Sequence, residues 1–159
     1  MSNMLVVNPD KCAGCRTCEV MCSFEHTKTF NPRLSAVTVM HYEAALTSVP
    51  VMCMQCDEAC CLKVCPVGAI TRDGQGVVNM NPDKCIVCKM CVSACPLGNI
   101  SYSPAGKKVF KCDLCGGDPK CVKYCSAGAI QLVDPTESPD RKKIMADKFK
   151  DVFGEEGPA

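Results

Sequence analysis

The sequence predicts an α+β protein with little regular secondary structure, organised as two small modules of which one is inserted within the other. Three observations predict this fold. Seventeen of the 159 residues are cysteine, and all but one of them fall into four sets with similar spacing. Aromatic residues make up only 5% of the chain and tryptophan is absent, so the large rings that usually fill a core are scarce. Short strand-like segments bounded by turn residues follow the cysteine sets.

The four cysteine sets carry the strongest signal. Sets one and three share the spacing Cys-x2-Cys-x2-Cys-x3-Cys, and the middle gap is wider in sets two and four. The sets are, in chain order, Cys12, Cys15, Cys18 and Cys22; Cys53, Cys56, Cys61 and Cys65; Cys85, Cys88, Cys91 and Cys95; and Cys112, Cys115, Cys121 and Cys125. Set two is ambiguous because Cys60 and Cys61 are adjacent. Only Cys61 leaves the three-residue last gap of the other sets. Cys60 is therefore predicted to be a packing residue and not a ligand. The other interpretations of Cys60 are a redox sensor and an alternative ligand.

Cysteine at this density indicates disulfides, zinc or iron–sulfur clusters. The first nine residues resemble no export signal, and no run approaches the roughly 20 apolar residues of a membrane span. We therefore expect a cytoplasmic protein without a membrane span, whose thiols stay reduced. Zinc sites usually use two separated Cys-x2-Cys pairs, whereas four thiols in one short run favour a [4Fe–4S] cluster.

Exchange of the fourth cysteine between sets defines four sites. Three cysteines of a tight loop bind one cluster, and the fourth is expected to begin a helix and reach the neighbouring cluster. Pro follows the fourth cysteine in sets two and three and Ser follows it in sets one and four, which indicates how the sets pair. The predicted sites are A (Cys12, Cys15, Cys18, Cys125), B (Cys22, Cys112, Cys115, Cys121), C (Cys53, Cys56, Cys61, Cys95) and D (Cys65, Cys85, Cys88, Cys91).

An internal repeat supports this pairing. Asn8-Pro9-Asp10-Lys11-Cys12 recurs as Asn81-Pro82-Asp83-Lys84-Cys85, and a Gly-x-Ile triplet follows three of the fourth cysteines. Each of these glycines is expected to end a short helix and each isoleucine to begin a strand. Residues 73–76 are predicted to form a hairpin turn and residues 35–40 a strand, within a longer loop that covers a cluster or contacts a partner.

These patterns predict three parts of the chain. An outer module comprises residues 1–48 and 104–135 and contains sets one and four. An inner module, residues 49–103, contains sets two and three. Residues 136–159 are predicted to form a helical tail, which docks on the chain's own modules or on a catalytic subunit.

Charge and motifs exclude several functions. Each oxidised cluster with its four thiolates adds −2, so four clusters would change the formal net charge from +1 to about −7. This balance gives no reason to expect a nucleic-acid partner. Neither G-x-G-x-x-G nor a P-loop is present, and no catalytic set can be assembled, so the chain is not expected to be an enzyme on its own. For His26 a surface or structural role is preferred to a hydrogen bond near a cluster.

The chain resembles the four-cluster, ferredoxin-like electron-transfer subunits of molybdenum and tungsten pterin oxidoreductases, formate dehydrogenases and some hydrogenases. The resemblance covers about residues 4–133 and is carried by the four cysteine sets, Cys22–His26 with Asn31–Ser35, and Lys111–Gly117. The chain looks most like the small subunit of a tungsten-containing aldehyde oxidoreductase, or a relative serving an aromatic-acid reductase.

This resemblance implies a function and partners. The implied function is relay of single electrons between a large pterin-containing catalytic subunit and a further flavin or NAD subunit or a ferredoxin, with self-stacking as an additional possibility. The alternatives are an electron-transfer subunit of a formate dehydrogenase, a hydrogenase or another molybdopterin reductase, a free polyferredoxin, and a zinc-binding structural module.

Overall fold

The computed structural model describes residues 4–104 and 106–133. Within these residues, eight short strands form four separate two-stranded antiparallel sheets. The strands are β1 (Met4–Val7), β2 (Val37–Tyr42), β3 (Thr47–Met52), β4 (Ile70–Arg72), β5 (Val78–Met80), β6 (Ile100–Ser103), β7 (Lys108–Lys111) and β8 (Ile130–Val133). The helices are α1 (Thr17–Thr27), α2 (Cys60–Lys63), α3 (Met90–Ala94) and α4 (Lys120–Lys123). This mixture of short helices and antiparallel strands confirms the α+β prediction.

The four sheets pair β1 with β8, β2 with β3, β4 with β5, and β6 with β7. Three of the pairs are local hairpins, whereas β1 and β8 join the two ends of the described chain. None of the helices within residues 4–104 and 106–133 has the length and apolarity needed to cross a membrane. The predicted helical tail, residues 136–159, lies outside the described residues.

Three strands begin at the isoleucines that follow the cysteine sets, as the sequence predicts. All three isoleucines are buried: Ile70, Ile100 and Ile130. The glycines two positions earlier do not end helices, however, because α2, α3 and α4 all end before the fourth cysteine of their set. Each glycine instead closes a turn, and its N–H donates to the carbonyl of that cysteine, at 3.3, 3.1 and 3.0 Å for Gly68, Gly98 and Gly128.

The prediction that the fourth cysteine begins a helix is also wrong. The helices α2, α3 and α4 contain the third cysteine of their set, and the fourth cysteine follows the end of the helix. Helix α1 contains both Cys18 and Cys22. One helical turn advances the chain by about 5.4 Å. A single turn therefore carries the chain from the third thiol, which belongs to one site, to the fourth, which faces a different group of cysteines.

The sequence repeat produces the same local structure twice. Asn81 N–H donates to the Ala69 carbonyl and Asn8 N–H donates to the Ala129 carbonyl, both at 2.8 Å. Asn81 precedes set three and bonds to the residue before β4, the strand that follows set two. Asn8 precedes set one and bonds to the residue before β8, the strand that follows set four. The β1–β8 pair therefore corresponds to the β4–β5 hairpin, although its two strands come from opposite ends of the described chain.

The stretch between sets one and two is a hairpin and not mainly a loop. The predicted strand at 35–40 is found as β2, but β3 was not expected. Pro50 lies inside β3, opposite Val39, and proline argues against a strand except at a sheet edge. Both strands of a two-stranded sheet have a free edge, so the proline is accommodated.

Cysteine side chains lie inside both hydrophobic cores. The first core contains Leu5, Val37 and Ile130 together with the buried cysteines 18, 22, 112 and 121. The second contains Ile70, Val78 and Ile100 together with Cys91. The predicted module boundaries, at residues 48/49 and 103/104, fall within the β2–β3 and β6–β7 hairpins. The module boundaries stay a prediction. The two cores contain thiols where the core of an ordinary small domain would contain aromatic rings.

Candidate metal centres

Three cavities in the structure are each lined by four cysteines of the predicted groups. In each cavity three of these cysteines come from one set and the fourth from another. The groups are Cys12, Cys15, Cys18 and Cys125; Cys53, Cys56, Cys61 and Cys95; and Cys65, Cys85, Cys88 and Cys91. The structure thus brings together the residues of sites A, C and D, and their binding of clusters stays a prediction.

The cysteines of site B are also neighbours. Burial, followed by the nearby Cys22 and Cys115 thiolates, raises the pKa of Cys121 to about 12. Burial likewise raises the pKa of Cys112, with the Cys121 thiolate contributing. Cys22, Cys112 and Cys121 are buried, and Cys115 is half-buried. Site B is therefore the most enclosed of the four groups.

The donor set fits a positively charged iron–sulfide core. Burial is the main cause that raises the pKa of Cys18 to about 12, and the Cys12 and Cys15 thiolates add to it. Four thiolates in one such site repel each other and lose hydration, so they require a compensating positive charge. A [4Fe–4S] core offers four irons to four thiolates, and the three-plus-one grouping of each cavity matches that ligation.

Backbone N–H groups point at the sulfur of three fourth cysteines. Ala69 N–H donates to Cys65 Sγ at 3.2 Å, and Asn99 N–H donates to Cys95 Sγ at 3.3 Å. Ala36 N–H lies 3.4 Å from the Sγ of Cys22. Such hydrogen bonds stabilise negative charge on sulfur and are one of the means by which a protein sets a cluster's potential.

The pKa of Cys65 shows the effect of these backbone donors. Burial opposes its ionisation, but backbone N–H groups, beginning with those of Ile70 and Ala69, outweigh burial and lower the pKa of Cys65. The left-handed backbone of Gly68, with φ of 60°, turns the chain back so that these donors face the sulfur.

The four groups of cysteines lie in the order A, B, C, D. Cys18 of site A is close enough to Cys121 of site B to act on its pKa. Cys53 of site C acts in the same way on Cys112 of site B. Cysteines of both site C and site D then belong to the second core: Cys61, Cys95, Cys65, Cys85 and Cys91. Each site therefore neighbours the next. This order between modules could not be predicted from the spacing of the cysteines.

His26 is placed between two cysteines of site B. Its Nε2 lies 3.7 Å from Cys115 Sγ and 3.5 Å from Asp113 Oδ1. Hydrogen bonds to Cys115 and then to Cys22 raise the pKa of His26 to about 10. His26 is exposed, as expected of a surface residue, and its ring nitrogen also lies near the sulfur of a predicted ligand. The available signal was the i, i+4 spacing of Cys22 and His26, which places both on one face of α1.

Cys60 and Cys61 are distinguished by their surroundings. Both line the cavity of site C, but Cys60 is exposed and Cys61 is half-buried. Burial is the main cause that raises the pKa of Cys61, and the Cys53 and Cys95 thiolates contribute. The Cys60 thiol instead lies 3.9 Å from the Glu58 carbonyl oxygen. The contacts of Cys61 are those expected of a ligand at site C.

A buried polar bridge between sites B and C was not predicted from the sequence. Gln55 Nε2 donates to the Cys112 carbonyl at 3.0 Å, and its Oε1 accepts from Val78 N–H at 2.9 Å. Lys111 Nζ donates to the same Cys112 carbonyl at 2.8 Å and also to the Val78 carbonyl. Gln55 and Lys111 are each only 7% exposed.

Both polar groups of Val78 face this bridge because of the register of the β4–β5 hairpin. Asp73 N–H donates to the Val77 carbonyl, and Asn81 N–H donates to the Ala69 carbonyl. Hydrogen-bonded and non-hydrogen-bonded pairs alternate along an antiparallel ladder, so Val78 directs its N–H and C=O away from β4. The Gln55 and Lys111 side chains thus take the place of a third strand at this edge.

Comparison with known proteins identifies the family. Residues 44–135, more than half of the chain, match the model of the 4Fe-4S dicluster domain. The chain belongs to the 4Fe-4S dicluster domain family. The matched part includes cysteine sets two, three and four, and set one precedes it. Binding of [4Fe–4S] clusters by a ferredoxin-like domain is therefore established as the family property of this 4Fe-4S dicluster protein.

The relatives of this 4Fe-4S dicluster protein are components of redox systems. It is 41% identical over 85 residues to the polyferredoxin-like subunit of an aliphatic sulfonate oxidoreductase from Pyrococcus furiosus, covering 53% of this chain and 49% of that one. It is 36% identical over 99 residues to the electron transport protein HydN of Escherichia coli K12, covering 56% and 53%. The chain spans about half the length of these curated relatives.

A solved structure matches nearly the whole of the 4Fe-4S dicluster protein. A chain in the active site complex BamBC of benzoyl coenzyme A reductase, as isolated, superposes with a TM-score of 0.50 and 27% identity. The match covers 96% of this chain and 92% of that one. Unlike the matches to the curated relatives, this one extends over both cysteine set one and the remaining sets.

Proposed function

We propose that this chain is an electron-transfer subunit that holds four [4Fe–4S] clusters and relays single electrons between a catalytic subunit and a second redox partner. The observation that carries the proposal is the presence of three cavities, each lined by a three-plus-one group of four predicted ligands, with Cys60 as a fifth cysteine at the cavity of site C. The proposed ligands are the sixteen cysteines of sites A to D, with Cys60 as the spare.

The order of the sites supports a linear relay. Sites A and D occupy the ends of the row, and each includes an exposed cysteine, Cys15 and Cys88 respectively. Sites B and C lie between them. Electrons would therefore enter near one exposed end and leave near the other, with each cluster passing one electron to its neighbour.

The surface near site D suits a protein partner. Ile86 is 61% exposed and Met90 is 46% exposed, and both flank the exposed Cys88 in sequence. Apolar side chains around a redox centre can exclude water at a contact with a partner. We assign this end to one of the two electron partners.

The two modules are proposed as nested units. The outer module, residues 1–48 and 104–135, would hold sites A and B, and the inner module, residues 49–103, would hold sites C and D. The repeated hydrogen bond of Asn8 and Asn81 to the strand after a partner set supports this arrangement. Because the outer ligands come from both ends of the described chain, folding and cluster assembly would depend on each other.

The proposed catalytic partner is a large pterin-containing subunit with tungsten or molybdenum. Aldehyde oxidation is the specific chemistry expected from the resemblance, and the likeness to a BamBC chain favours a partner that reduces an aromatic acid derivative as the second candidate. A flavin or NAD subunit, or a ferredoxin, would be the other electron partner. A cytoplasmic location stays part of the proposal.

Anaerobic isolation from the native cell tests the proposal. We expect a brown protein with about 16 irons and about 16 sulfides per chain, and a tungsten- or molybdenum-containing chain that co-purifies at fixed stoichiometry. A colourless chain with four zinc ions would overturn the cluster proposal. A fully loaded chain that purifies alone at every salt concentration would overturn the subunit proposal and indicate a free polyferredoxin.

A further inference from the structure

We propose that the buried ammonium group of Lys111 tunes the clusters at the centre of the row, holding the reduction potential of site C, and to a smaller extent that of site B, higher than the thiolate ligands alone would set it. Lys111 acts here as a positioning and tuning residue that binds no iron. The inference rests on the proposed function, because it requires clusters at sites B and C.

The position of Lys111 is fixed by the fold. It is the last residue of β7 and directly precedes Cys112, a proposed ligand of site B. Its side chain lines the cavity of site C. The ammonium group therefore lies where the two modules meet and is close to cysteines of both sites.

The charge of Lys111 is held in place without being neutralised by its hydrogen-bond acceptors. Its Nζ donates to the carbonyls of Val78 and Cys112, which are dipoles and not carboxylates. Gln55 donates to the same Cys112 carbonyl and accepts from Val78 N–H, so it reinforces this geometry. With 7% exposure, the side chain has little water available to screen it.

The position of the ammonium group favours site C over site B. Lys111 lines the cavity of site C itself. Toward site B, its Nζ contacts the backbone carbonyl of Cys112. The cation is therefore expected to act more strongly on site C than on site B.

The direction of the effect on the potential follows from charge. Reduction adds one electron to a cluster whose ligated core already carries −2, and a nearby fixed cation stabilises the reduced form more than the oxidised form. Lys111 would thus raise the potential.

The test is a redox titration of the anaerobic, iron-loaded full chain, followed by electron paramagnetic resonance. We expect Lys111→Met, which keeps most of the apolar stem and removes the charge, to lower the equilibrium constant for reduction of one cluster by about tenfold. For one electron this corresponds to about 59 mV. Lys111→Arg keeps a cation and is expected to change that constant by less than threefold.

Lys108→Met provides the matched control. Lys108 is the first residue of the same strand, but it is exposed, so solvent screens its charge. The same change of charge there is expected to leave the equilibrium constants for reduction of all four clusters within threefold of those in the unaltered chain. If Lys111→Met and Lys108→Met gave the same potentials, the inference would be overturned.

Iron content separates this inference from the proposed function. If the unaltered chain held far fewer than about 16 irons, the four-cluster function would fail, and the inference would fail with it. If the unaltered chain and Lys111→Met were both fully loaded with equal potentials, only the inference would fail. If Lys111→Met and Lys111→Gln both failed to load while Lys111→Arg loaded, the charge would be needed for assembly, and the tuning role would be rejected.

Discussion

Replacing Gln55 by Ala is expected to weaken the junction between sites B and C. The side chain bonds two buried backbone groups, Cys112 C=O and Val78 N–H. The carbonyl keeps a second donor in Lys111. Val78 is 1% exposed and its N–H points away from β4, so this donor would be left unpaired. An unpaired buried donor costs about 1–3 kcal/mol.

The assay is the rate at which the visible absorbance of the clusters disappears in anaerobic guanidinium chloride. Cluster loss is irreversible under these conditions, so stability is measured as a rate. If the bridge is broken in the transition state for unfolding, 1–3 kcal/mol corresponds to loss that is about 5- to 150-fold faster. Gln75→Ala is the matched control, because Gln75 is exposed in the β4–β5 turn. Equal rates for the two variants would refute this reasoning.

The remaining predictions concern the cysteine loops. Cys61→Ser is expected to reduce the iron content by about four per chain and to remove one paramagnetic signal, whereas Cys60→Ser keeps the full content. Gly14→Ala is expected to destabilise set one by about 1–3 kcal/mol and to speed cluster loss, because Gly14 has φ of 65° and an added Cβ would lie 2.7 Å from Ser48 Oγ. Gly74→Ala, where an added Cβ meets nothing within 4 Å, is expected to leave the rate unchanged.

Two results would contradict these predictions. Full iron content in Cys61→Ser together with iron loss in Cys60→Ser would assign the ligand to Cys60. Equal rates of cluster loss for Gly14→Ala and Gly74→Ala would show that the β2–β3 hairpin does not pack tightly on the set-one loop.

The cysteine groups were predictable because their spacing is local. A thiol every third residue in a tight loop leaves few arrangements, and the Gly-x-Ile triplets indicated where β4, β6 and β8 begin. The repeated Asn-Pro-Asp-Lys segment also indicated which sets pair, because two similar sequences make the same hydrogen bond to a strand. The strand β3 was missed because Pro50 weakened its pattern.

The helix positions were misassigned for a different reason. The spacing of the four cysteines in a set indicates which thiols are neighbours in sequence. It does not indicate where the loop of that set ends and its helix begins. The third cysteine lies within a helix in α2, α3 and α4. This assignment depends on how the loop closes around its site.

By itself, the sequence determined the chemistry of this protein: sixteen regularly spaced cysteines, few aromatic rings and a repeat that pairs the sets. Only the tertiary structure decided the order of the four sites, the contact of His26 with Cys115, and the bridge through Gln55 and Lys111. Gln55 and Cys112 are 57 positions apart, and a contact over that separation leaves no periodic trace in a single sequence. Such contacts arise only when two separately formed loops pack together.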